Sequence, residues 1–389
     1  MEKFDVIVVG AGISGCATAY SLANAGAKVA IIDRYGPAAM ASGWTLAGVR
    51  QSGRDPAELP IAMEAVGIWQ TLHEDLGKPT HYSQRGNLRL ARTESEYEQI
   101  KMLVASQREQ GLDLSFLPDN AAVRAVAPAV SEAILGASFC PTDGHADPQA
   151  TSAAYVDALV KLGVTLIMGE AVEKLDVESG KVCGVSTASR RIAADRIVLA
   201  AGMFGNDLLK QHGLSVPIEP PMVTVIRTAP LPPVLDQVIG VCGGDWAGRQ
   251  EVTGRLRVTS GALTWNGKIT TIETANGLRP IIRPPLSSLM EVIDKLGQLL
   301  PGLETALIEE CWAGLLDLTP DALPVLDHAP GIEGLIVGMG FSGHGFCLGP
   351  VTGRILSDLA LDCQRKDLDA FKFDRFERLD RKASLELHG

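Results

Sequence analysis

The feature that most constrains this sequence is a glycine-rich turn between an apolar strand and a helix. Residues 10–15 (GAGISG) follow the strand pattern DVIVV at 5–9 and match the G-x-G-x-x-G spacing. Its first glycine permits a tight turn, the second lets the backbone approach a pyrophosphate, and the third allows close packing of helix on strand. A second strand, 28–32, ends at Asp33, 18 positions after Gly15, close to the ~20 expected for an acid on ribose hydroxyls. The pattern therefore predicts a dinucleotide site, and the acid disfavours NADP.

A second glycine-rich turn lies near the end of the sequence. Residues 338–343 (GMGFSG) follow an apolar strand pattern at 334–338 and precede a helix predicted to reach about residue 361. Only 46 residues follow Gly343, and they contain no strand pattern that ends in an acid. A second complete βαβ unit therefore does not fit. We expect this strand to join the first sheet, and the positive N-terminal end of its helix to point at the same cofactor.

Charge and cysteine usage limit the class of protein. The formal net charge of −11 argues against binding to nucleic acid and against adsorption to an anionic membrane. The sequence has no run of roughly 18 apolar residues, so no membrane span is predicted. Its first residues lead directly into a strand and lack a signal-peptide pattern. Seven scattered cysteines without a C-x-x-C pair argue against a zinc or iron–sulfur site and favour a reducing cytoplasm.

The order of strand and helix patterns predicts a discontinuous fold of the α/β plus α+β class. A chain of 389 residues suggests about two domains. Parallel-sheet patterns recur at the start, middle and end, whereas alternating strands among turn residues at 220–273 are typical of an antiparallel sheet. We predict a Rossmann-like nucleotide-binding domain made of 1–84, 140–215 and 306–389, and an inserted antiparallel-sheet substrate domain made of 85–139 and 216–305. Helices are predicted at 57–77, 93–110, 149–162 and 286–299.

Several motifs give the chain a resemblance to a known family. Over nearly its whole length it resembles the FAD-dependent amino-acid oxidoreductases of the D-amino acid oxidase or glycine/sarcosine oxidase superfamily. Within that family it is most similar to the FAD-binding β subunits of heteromeric dehydrogenases that act on opines (octopine, nopaline), D-hydroxyproline or L-proline. The motifs are VVGAGISGCATAYSLANAGAKVAIIDR at the start, ASGWTLAGVRQSGR at 41–54, RGNLRLA at 85–91, DGHADP at 143–148, VLAAGMFGNDLL at 198–209, TPDALPVLD at 319–327 and GMGFSGHGFCLGP at 338–350.

The resemblance implies FAD-dependent oxidation of a secondary amino or imino acid. In such enzymes a hydride passes from the carbon next to nitrogen to flavin N5, and the product imine is hydrolysed in water. The matching positions imply a set of cofactor-binding residues and no metal. This set comprises Gly10, Ala11, Gly12, Ile13, Ser14, Gly15, Asp33, Arg34, Ser42, Gly43, Leu46, Ala47, Gly48, Val49 (expected to pack on the flavin ring), Val172, Ala201, Gly202, Gly340, Phe341, Ser342, Gly343, His344, Gly345 and Phe346.

Two departures from the family leave the substrate carboxylate without its usual anchors. Monomeric sarcosine oxidases carry Lys where this chain has Cys347, and glycine oxidase-like members carry Arg in the stretch that here reads GLLDL at 314–318. A buried carboxylate still needs a cation or several donors. We predict that Arg50 or Arg54 supplies an arginine fork in their place. Arg257, Arg279 and Arg283 are the other candidates, each with a surface salt bridge as the competing interpretation.

Two further positions bear on the flavin. Sarcosine oxidases that tether FAD covalently use Cys at the position of Gly314, so the FAD is expected to be non-covalent. His344 lies in the second glycine turn. We expect it to tune the flavin as a hydrogen-bond donor, and action as a general base is the alternative.

Three functions remain open at this point. The favoured one is the catalytic β subunit of a heteromeric dehydrogenase for a small amino or imino acid. The alternatives are a self-sufficient glycine, sarcosine or D-amino acid oxidase and a non-catalytic FAD electron-transfer subunit. A nicotinamide dehydrogenase is disfavoured by the missing second βαβ unit. Any further flavin or iron–sulfur centre would have to come from partner chains.

Overall fold

Apolar strands build two large sheets in the computed structural model, which describes residues 3–274 and 277–378. The strands are β1 Lys3–Val9, β2 Val29–Asp33, β3 Gly48–Val49, β4 Asn87–Ala91, β5 Ser115–Leu117, β6 Gly136–Cys140, β7 Gly144–His145, β8 Thr165–Met168, β9 Val172–Glu178, β10 Lys181–Thr187, β11 Arg191–Leu199, β12 Met222–Pro230, β13 Val238–Val241, β14 Trp246–Gln250, β15 Arg255–Ser260, β16 Thr270–Thr274, β17 Gly277–Ile281, β18 Ile308–Leu315, β19 Val325–His328 and β20 Leu335–Met339.

Helices connect and cover these strands, and the helices predicted at 57–77, 93–110, 149–162 and 286–299 are found with bounds that agree to within two residues. The side chain of Asp147 starts one of them by accepting a hydrogen bond from Ala150 N at 2.7 Å, just before Pro148. Another ends at Gly77, which takes the left-handed conformation typical of a helix C-terminus. The helices are α1 Ile13–Asn24, α2 Ala41–Trp44, α3 Leu59–Leu76, α4 Glu94–Glu109, α5 Asn120–Val126, α6 Pro148–Lys161, α7 Gly205–Leu209, α8 Leu286–Leu299 and α9 Gly345–Ala360, with short 3-10 helices at Gly202–Phe204, Lys210–His212, Leu303–Thr305, Asp369–Phe371 and Phe373–Arg378. The short helices α2, α5 and α7 were not predicted.

The first sheet has the strand order β19-β20-β11-β1-β2-β8, with β10 and β9 added beside β11. β1 pairs in parallel with β2 and β11, and β20 pairs in parallel with β11. Val6 and Val8 point into the core shared with the helices, whereas Ile7 and Val9 point into a second core on the other face, as expected for a parallel sheet covered on both sides. The prediction that the strand before the second glycine turn joins this sheet is confirmed.

The second sheet has the order β18-β12-β15-β14-β13-β4-β6-β5. Its neighbours are antiparallel except for β13 and β4, which run parallel. The predicted combination of a Rossmann-like sheet and an inserted, largely antiparallel sheet is confirmed. The domain boundaries themselves stay a prediction, and residues 1–2 and 379–389 of the first predicted domain lie outside the described residues. β18 pairs with β12, so the second sheet continues past the predicted boundary at 305, and β6 crosses the boundary at 139.

None of the helices within residues 3–274 and 277–378 has the length and apolar character needed to cross a bilayer.

The two helices that follow the glycine turns pack directly on each other. A Cβ added at Gly353 of α9 would overlap the carbonyl carbon of Ala17 in α1, and one added at Gly349 would lie 2.6 Å from Ile13 Cγ1. Only glycine permits this approach, because any side chain would push the helix axes apart. The glycines of α9 therefore fix where α1 and α9 begin relative to each other.

We expect Gly353→Ala to destabilise the protein by about 1–3 kcal/mol, because the added methyl group overpacks the α1–α9 contact. Gly67→Ala is the matched control: Gly67 is exposed in α3 and a Cβ there meets nothing within 4 Å. That control should raise stability by roughly 0.5–1 kcal/mol through helix propensity. Urea unfolding midpoints compare the two variants. Equal midpoint shifts would contradict the tight helix contact.

Candidate active site

An elongated cavity of about 630 Å³ lies where the carboxyl ends of β1, β2 and β11 face the second sheet. Carboxyl ends of parallel strands are the usual ligand sites of such sheets. Twenty of the predicted site residues line it. They are Gly10, Gly12, Ile13, Ser14, Asp33, Arg34, Ser42, Leu46, Gly48, Arg50, Arg54, Val172, Ala201, Gly202, Phe341, Ser342, Gly343, His344, Gly345 and Phe346.

The first glycine turn brings the N-terminus of α1 to one wall of the cavity. Gly10 has φ +109°, and a Cβ added there would overlap the carbonyl oxygen of Ala200 at the end of the neighbouring strand. Ser42 Oγ accepts a hydrogen bond from Ile13 N at 3.0 Å. The first turn of α1 carries no acidic residue. This end of the helix therefore keeps a positive field suited to phosphate.

Asp33 lies at the end of β2 beside this turn. One of its carboxylate oxygens accepts a hydrogen bond from Ala11 N at 2.8 Å, and the other accepts from Tyr35 N at 2.8 Å and Gly36 N at 2.7 Å. The backbone thus holds the carboxylate at the cavity edge. Binding of ribose hydroxyls there stays a prediction.

Residues of α2 and of the segment that follows it form part of the cavity wall. Ser42, Leu46 and Gly48 face the cavity, whereas Val49 is fully buried in the core of the first sheet, so the expected contact of Val49 with the flavin ring has no support in its position. Six predicted cofactor residues lie behind the wall; they are Ala11, Gly15, Gly43, Ala47, Val49 and Gly340.

Two buried arginines of the second sheet hold this segment in place. Arg249 donates from Nε to Leu46 O and from Nη2 to Ala146 O at 3.1 Å. Arg257 donates from Nη1 to Thr45 O at 2.7 Å and pairs with Glu251 at 2.8 Å. Charge-assisted hydrogen bonds from buried arginines are strong, so they hold these backbone carbonyl groups in place. The second sheet therefore positions a wall of the cofactor cavity.

The second glycine turn forms the opposite wall of the same cavity. Gly340 and Gly343 have φ of +76° and +89°, and Ser342 takes φ +54° between them. α9 begins at Gly345, and its first residues line the cavity. The prediction that both glycine turns serve one site is supported by this shared cavity.

Asp317 joins the second turn to the cavity. Its carboxylate accepts a hydrogen bond from Gly340 N at 2.8 Å, and Ser342 N donates to its carbonyl oxygen at 3.2 Å. Burial raises the pKa of the Asp317 carboxyl to about 6, although the backbone N–H groups of the turn act in the opposite direction. This carboxyl therefore changes charge close to neutral pH.

Arg50 lines the cavity directly after β3. Its Nη1 donates to Ser52 O at 2.9 Å, and no carboxylate in the described part of the chain lies within salt-bridge distance of it. Burial, followed by the charges of Arg54 and Arg89, lowers the pKa of its guanidinium. The backbone of Arg50 is held by Cys347, whose Sγ accepts from Arg50 N at 3.2 Å and donates to Arg50 O at 3.3 Å.

Arg54, Glu58 and His344 form a buried cluster beside Arg50. Glu58 Oε2 lies 3.5 Å from Arg54 Nη1 and 2.8 Å from His344 Nδ1. Burial opposes ionisation of Glu58, but the His344 and Arg54 charges hold its pKa below the usual range. Burial and the charge of Arg54 lower the pKa of His344. Because its lowered pKa leaves the His344 imidazole neutral near pH 7, Arg54 is the cation that stabilises the Glu58 carboxylate there.

Sequence reasoning missed Arg89 and Glu58. Arg89 lies in β4, where Leu88 and Leu90 face the core of the second sheet, while Asn87 and Arg89 face the cavity. A charged residue alternating with leucines was a usable signal, since alternate residues of a strand share a face. No motif marks Glu58, which precedes α3 in sequence and meets His344 only through tertiary packing.

The remaining arginine candidates lie elsewhere. Arg257 is paired with Glu251 behind the wall, and Arg279 and Arg283 are exposed outside the cavity lining. Within the described residues, no group of three or more His, Cys, Asp or Glu side chains could hold a metal ion.

The lining fits a flavin dinucleotide. The α1 end offers a positive helix terminus for the pyrophosphate beside Gly12, where an added Cβ would lie 3.2 Å from Ser42 Oγ. The Arg34–Phe204 stack, with the guanidinium 4.4 Å from the ring centroid, also borders the cavity. Gly314 lines the middle of the cavity, where a Cβ would lie 3.2 Å from Trp44 Cβ. Cys311 is exposed on β18. Non-covalent attachment of the FAD therefore stays the prediction.

We expect Asp317 to make the stability of the protein fall as the pH rises from about 4 to 6. Its folded pKa lies above the value of about 3.8 for an unfolded chain, so the folded state keeps this proton longer and loses about 3 kcal/mol across that window. Urea unfolding of wild type and Asp317→Asn at pH 4 and pH 7 measures the difference. A stability difference between the two proteins that does not change with pH would contradict the raised pKa.

Comparisons with known proteins agree with this geometry. The chain is 27% identical to a glycine oxidase of Bacillus licheniformis, over 98% of this chain and 100% of that protein. It is 26% identical to a sarcosine oxidase subunit beta of Rhizobium meliloti, over 96% of this chain and 89% of that protein. The crystal structure of an L-proline dehydrogenase from P. horikoshii superposes with a TM-score of 0.88 at 24% identity, covering 97% of this chain and 98% of that one. Residues 5–359 match the model of the FAD dependent oxidoreductase family, and the chain therefore belongs to that family.

Proposed function

We propose that the protein oxidises a small secondary amino or imino acid and uses Arg50 to hold the substrate carboxylate. The observation that carries this proposal is a cavity-facing guanidinium that has no carboxylate partner among the described residues, next to the segment that lines the cavity. When bound, FAD supplies the chemistry by accepting a hydride at N5 from the carbon next to nitrogen, and the imine product is then hydrolysed in water. The names of the relatives, glycine oxidase and sarcosine oxidase subunit beta, support this substrate class.

Arg54 supports Arg50 rather than competing with it. Its Nε donates to Arg50 O at 3.0 Å, and its Nη1 faces Glu58. Together with the Cys347 contacts, this fixes the Arg50 backbone from two sides. Cys347 thus takes over a positioning role at the place where related oxidases carry Lys. An anchor held this firmly loses little entropy on binding a carboxylate.

His344 is proposed to act on a proton near the reacting nitrogen. His344 Nδ1 lies 2.8 Å from Glu58 Oε2, and burial lowers the pKa of His344, which favours a neutral imidazole that can accept a proton. Donation to the flavin, the role favoured by the sequence, is the alternative and needs the proton on the ring nitrogen that faces the flavin. The geometry therefore supports proton acceptance from the substrate ammonium group.

We further propose that the chain is the catalytic β subunit of a heteromeric dehydrogenase such as an opine or hydroxyproline dehydrogenase. The similarity to sarcosine oxidase subunits called beta in two bacteria supports a heteromeric assembly. The alternative is a self-sufficient oxidase, which the glycine oxidase relatives favour. Hydrogen peroxide formed by the isolated chain would support the oxidase, whereas dye reduction without peroxide would support the dehydrogenase.

Arg50→Ala should lower kcat/KM by roughly 30-fold to several thousand-fold, because truncating a buried charge partner costs about 2–5 kcal/mol. Arg54→Ala should also lower it, by releasing Arg50 and leaving Glu58 unpaired. Arg279→Ala is the control, since Arg279 is exposed on β17. Steady-state kinetics with the flavin content measured for each variant provide the comparison. Unchanged kcat/KM in both Arg50→Ala and Arg54→Ala would overturn the assignment of the carboxylate anchor.

His344→Gln should remove the acidic limb of the kcat/KM pH profile and leave the reduction potential of the flavin nearly unchanged. The pKa of a proton-accepting group determines a limb of the pH profile, whereas a hydrogen-bond donor to the flavin ring changes the reduction potential of the flavin. Kinetics across pH and a dye-coupled potential titration measure both quantities. A changed potential with an intact pH profile would show the flavin-tuning role instead.

A further inference from the structure

A second cationic group faces the same part of the cavity from the other sheet. Arg89 projects from β4 with Asn87, and its side chain is more than nine-tenths buried. Its Nη2 atom is buried and has no hydrogen-bond partner. Among the residues that the structure describes, no carboxylate lies within salt-bridge distance of this guanidinium.

Arg89 and Arg50 converge on one point. A Cβ added at Gly53 would overlap Arg89 Nη2 and would lie 3.0 Å from Arg50 Nη1. The two guanidinium groups therefore border the same space while coming from different elements, β4 and the segment after β3. The absence of a side chain at Gly53 leaves room for the Arg89 guanidinium.

Two buried positive charges that lie this close together are stabilised by bound anions. Burial lowers the pKa of Arg89, and the charge of Arg54 acts in the same direction. The carboxylate of Asp143 accepts hydrogen bonds from Gln51 N at 2.8 Å and Ser52 N at 3.3 Å and forms no salt bridge with Arg89 within the described residues. It therefore lessens the repulsion between the arginines only at longer range. One carboxylate satisfies one arginine fork bidentately. A single carboxylate bound bidentately by Arg50 would leave the Arg89 guanidinium desolvated and unpaired, which is strongly unfavourable.

We propose that Arg89 binds a second carboxylate of the substrate, so that the enzyme prefers secondary amines with a carboxylate on each side of the nitrogen. This inference rests on the proposed function, since it takes Arg50 as the anchor of the first carboxylate. Asn87, two residues earlier on the same face of β4, adds an amide beside the second carboxylate. Its Nδ2 donates to Ser52 Oγ at 3.3 Å, which holds the side chain in place.

Iminodiacetate and sarcosine test the proposal as a matched pair, because both are secondary amines and only the first has two carboxylates. Binding of each to the FAD-loaded protein is measured by calorimetry, and flavin reduction is followed under anaerobic conditions. The wild type should bind iminodiacetate at least tenfold more tightly than sarcosine. Equal or weaker binding of iminodiacetate would overturn the inference without use of any variant.

The Arg89→Met variant then assigns the residue. It should weaken binding and reduction by iminodiacetate roughly 30-fold or more and change those of sarcosine less than about threefold. Arg89→Lys should retain part of the preference, because it keeps the charge but loses the fork. Arg92→Met, which removes an arginine paired with Glu96 and Asp245 at the surface, is the control. Equal losses for both ligands in Arg89→Met would overturn the assignment.

The two proposals fail in different ways. Tight binding of iminodiacetate that depends on Arg89, without flavin reduction by any amine, would contradict the proposed function and leave the dicarboxylate site standing. Flavin reduction by sarcosine and not by iminodiacetate would contradict the dicarboxylate site and leave the proposed function standing.

Discussion

The close packing of α1 on α9 is the constraint on which the site depends. Gly353 and Gly349 let the two helices approach to backbone contact, and each helix begins at a glycine turn. The N-termini of both helices are thereby brought to one cavity instead of two. A dinucleotide placed there meets a positive helix end on each side, which suits a pyrophosphate at one and negative charge on a reduced flavin at the other.

A second layer of constraint comes from the other sheet. Arg249 and Arg257 reach across to the carbonyl groups of the segment that lines the cofactor side, and Arg89 reaches into the cavity itself. These hydrogen bonds therefore tie the position of that segment to the position of the second sheet. The proposed substrate recognition by Arg50 and Arg89 would use one group from the segment after β3 and one from the second sheet, so the relative position of these elements would determine which substrates fit.

The sequence was informative where chemistry requires particular residues in a short stretch. Glycines at positive φ, the acid that ends β2 and the second glycine turn are local requirements, so the cofactor cavity could be predicted from them. Arg50 could be placed because it follows such a stretch. Glu58 and the pairing of Arg50 with Arg89 depend on packing between elements distant in sequence, which no local pattern encodes. The membership of β18 in the second sheet was missed for the same reason, since strand pairing is non-local.

Anaerobic mixing of the FAD-loaded protein with a panel of amino and imino acids tests the central claim most directly. The panel contains glycine, sarcosine, iminodiacetate, D-amino acids, proline, hydroxyprolines and opines, with dithionite as a chemical reductant for reference. At least one secondary amino acid of the panel should bleach the flavin fully, and the flavin of the Arg50→Ala variant should bleach far more slowly. A flavin that dithionite reduces and that no member of the panel bleaches would contradict it.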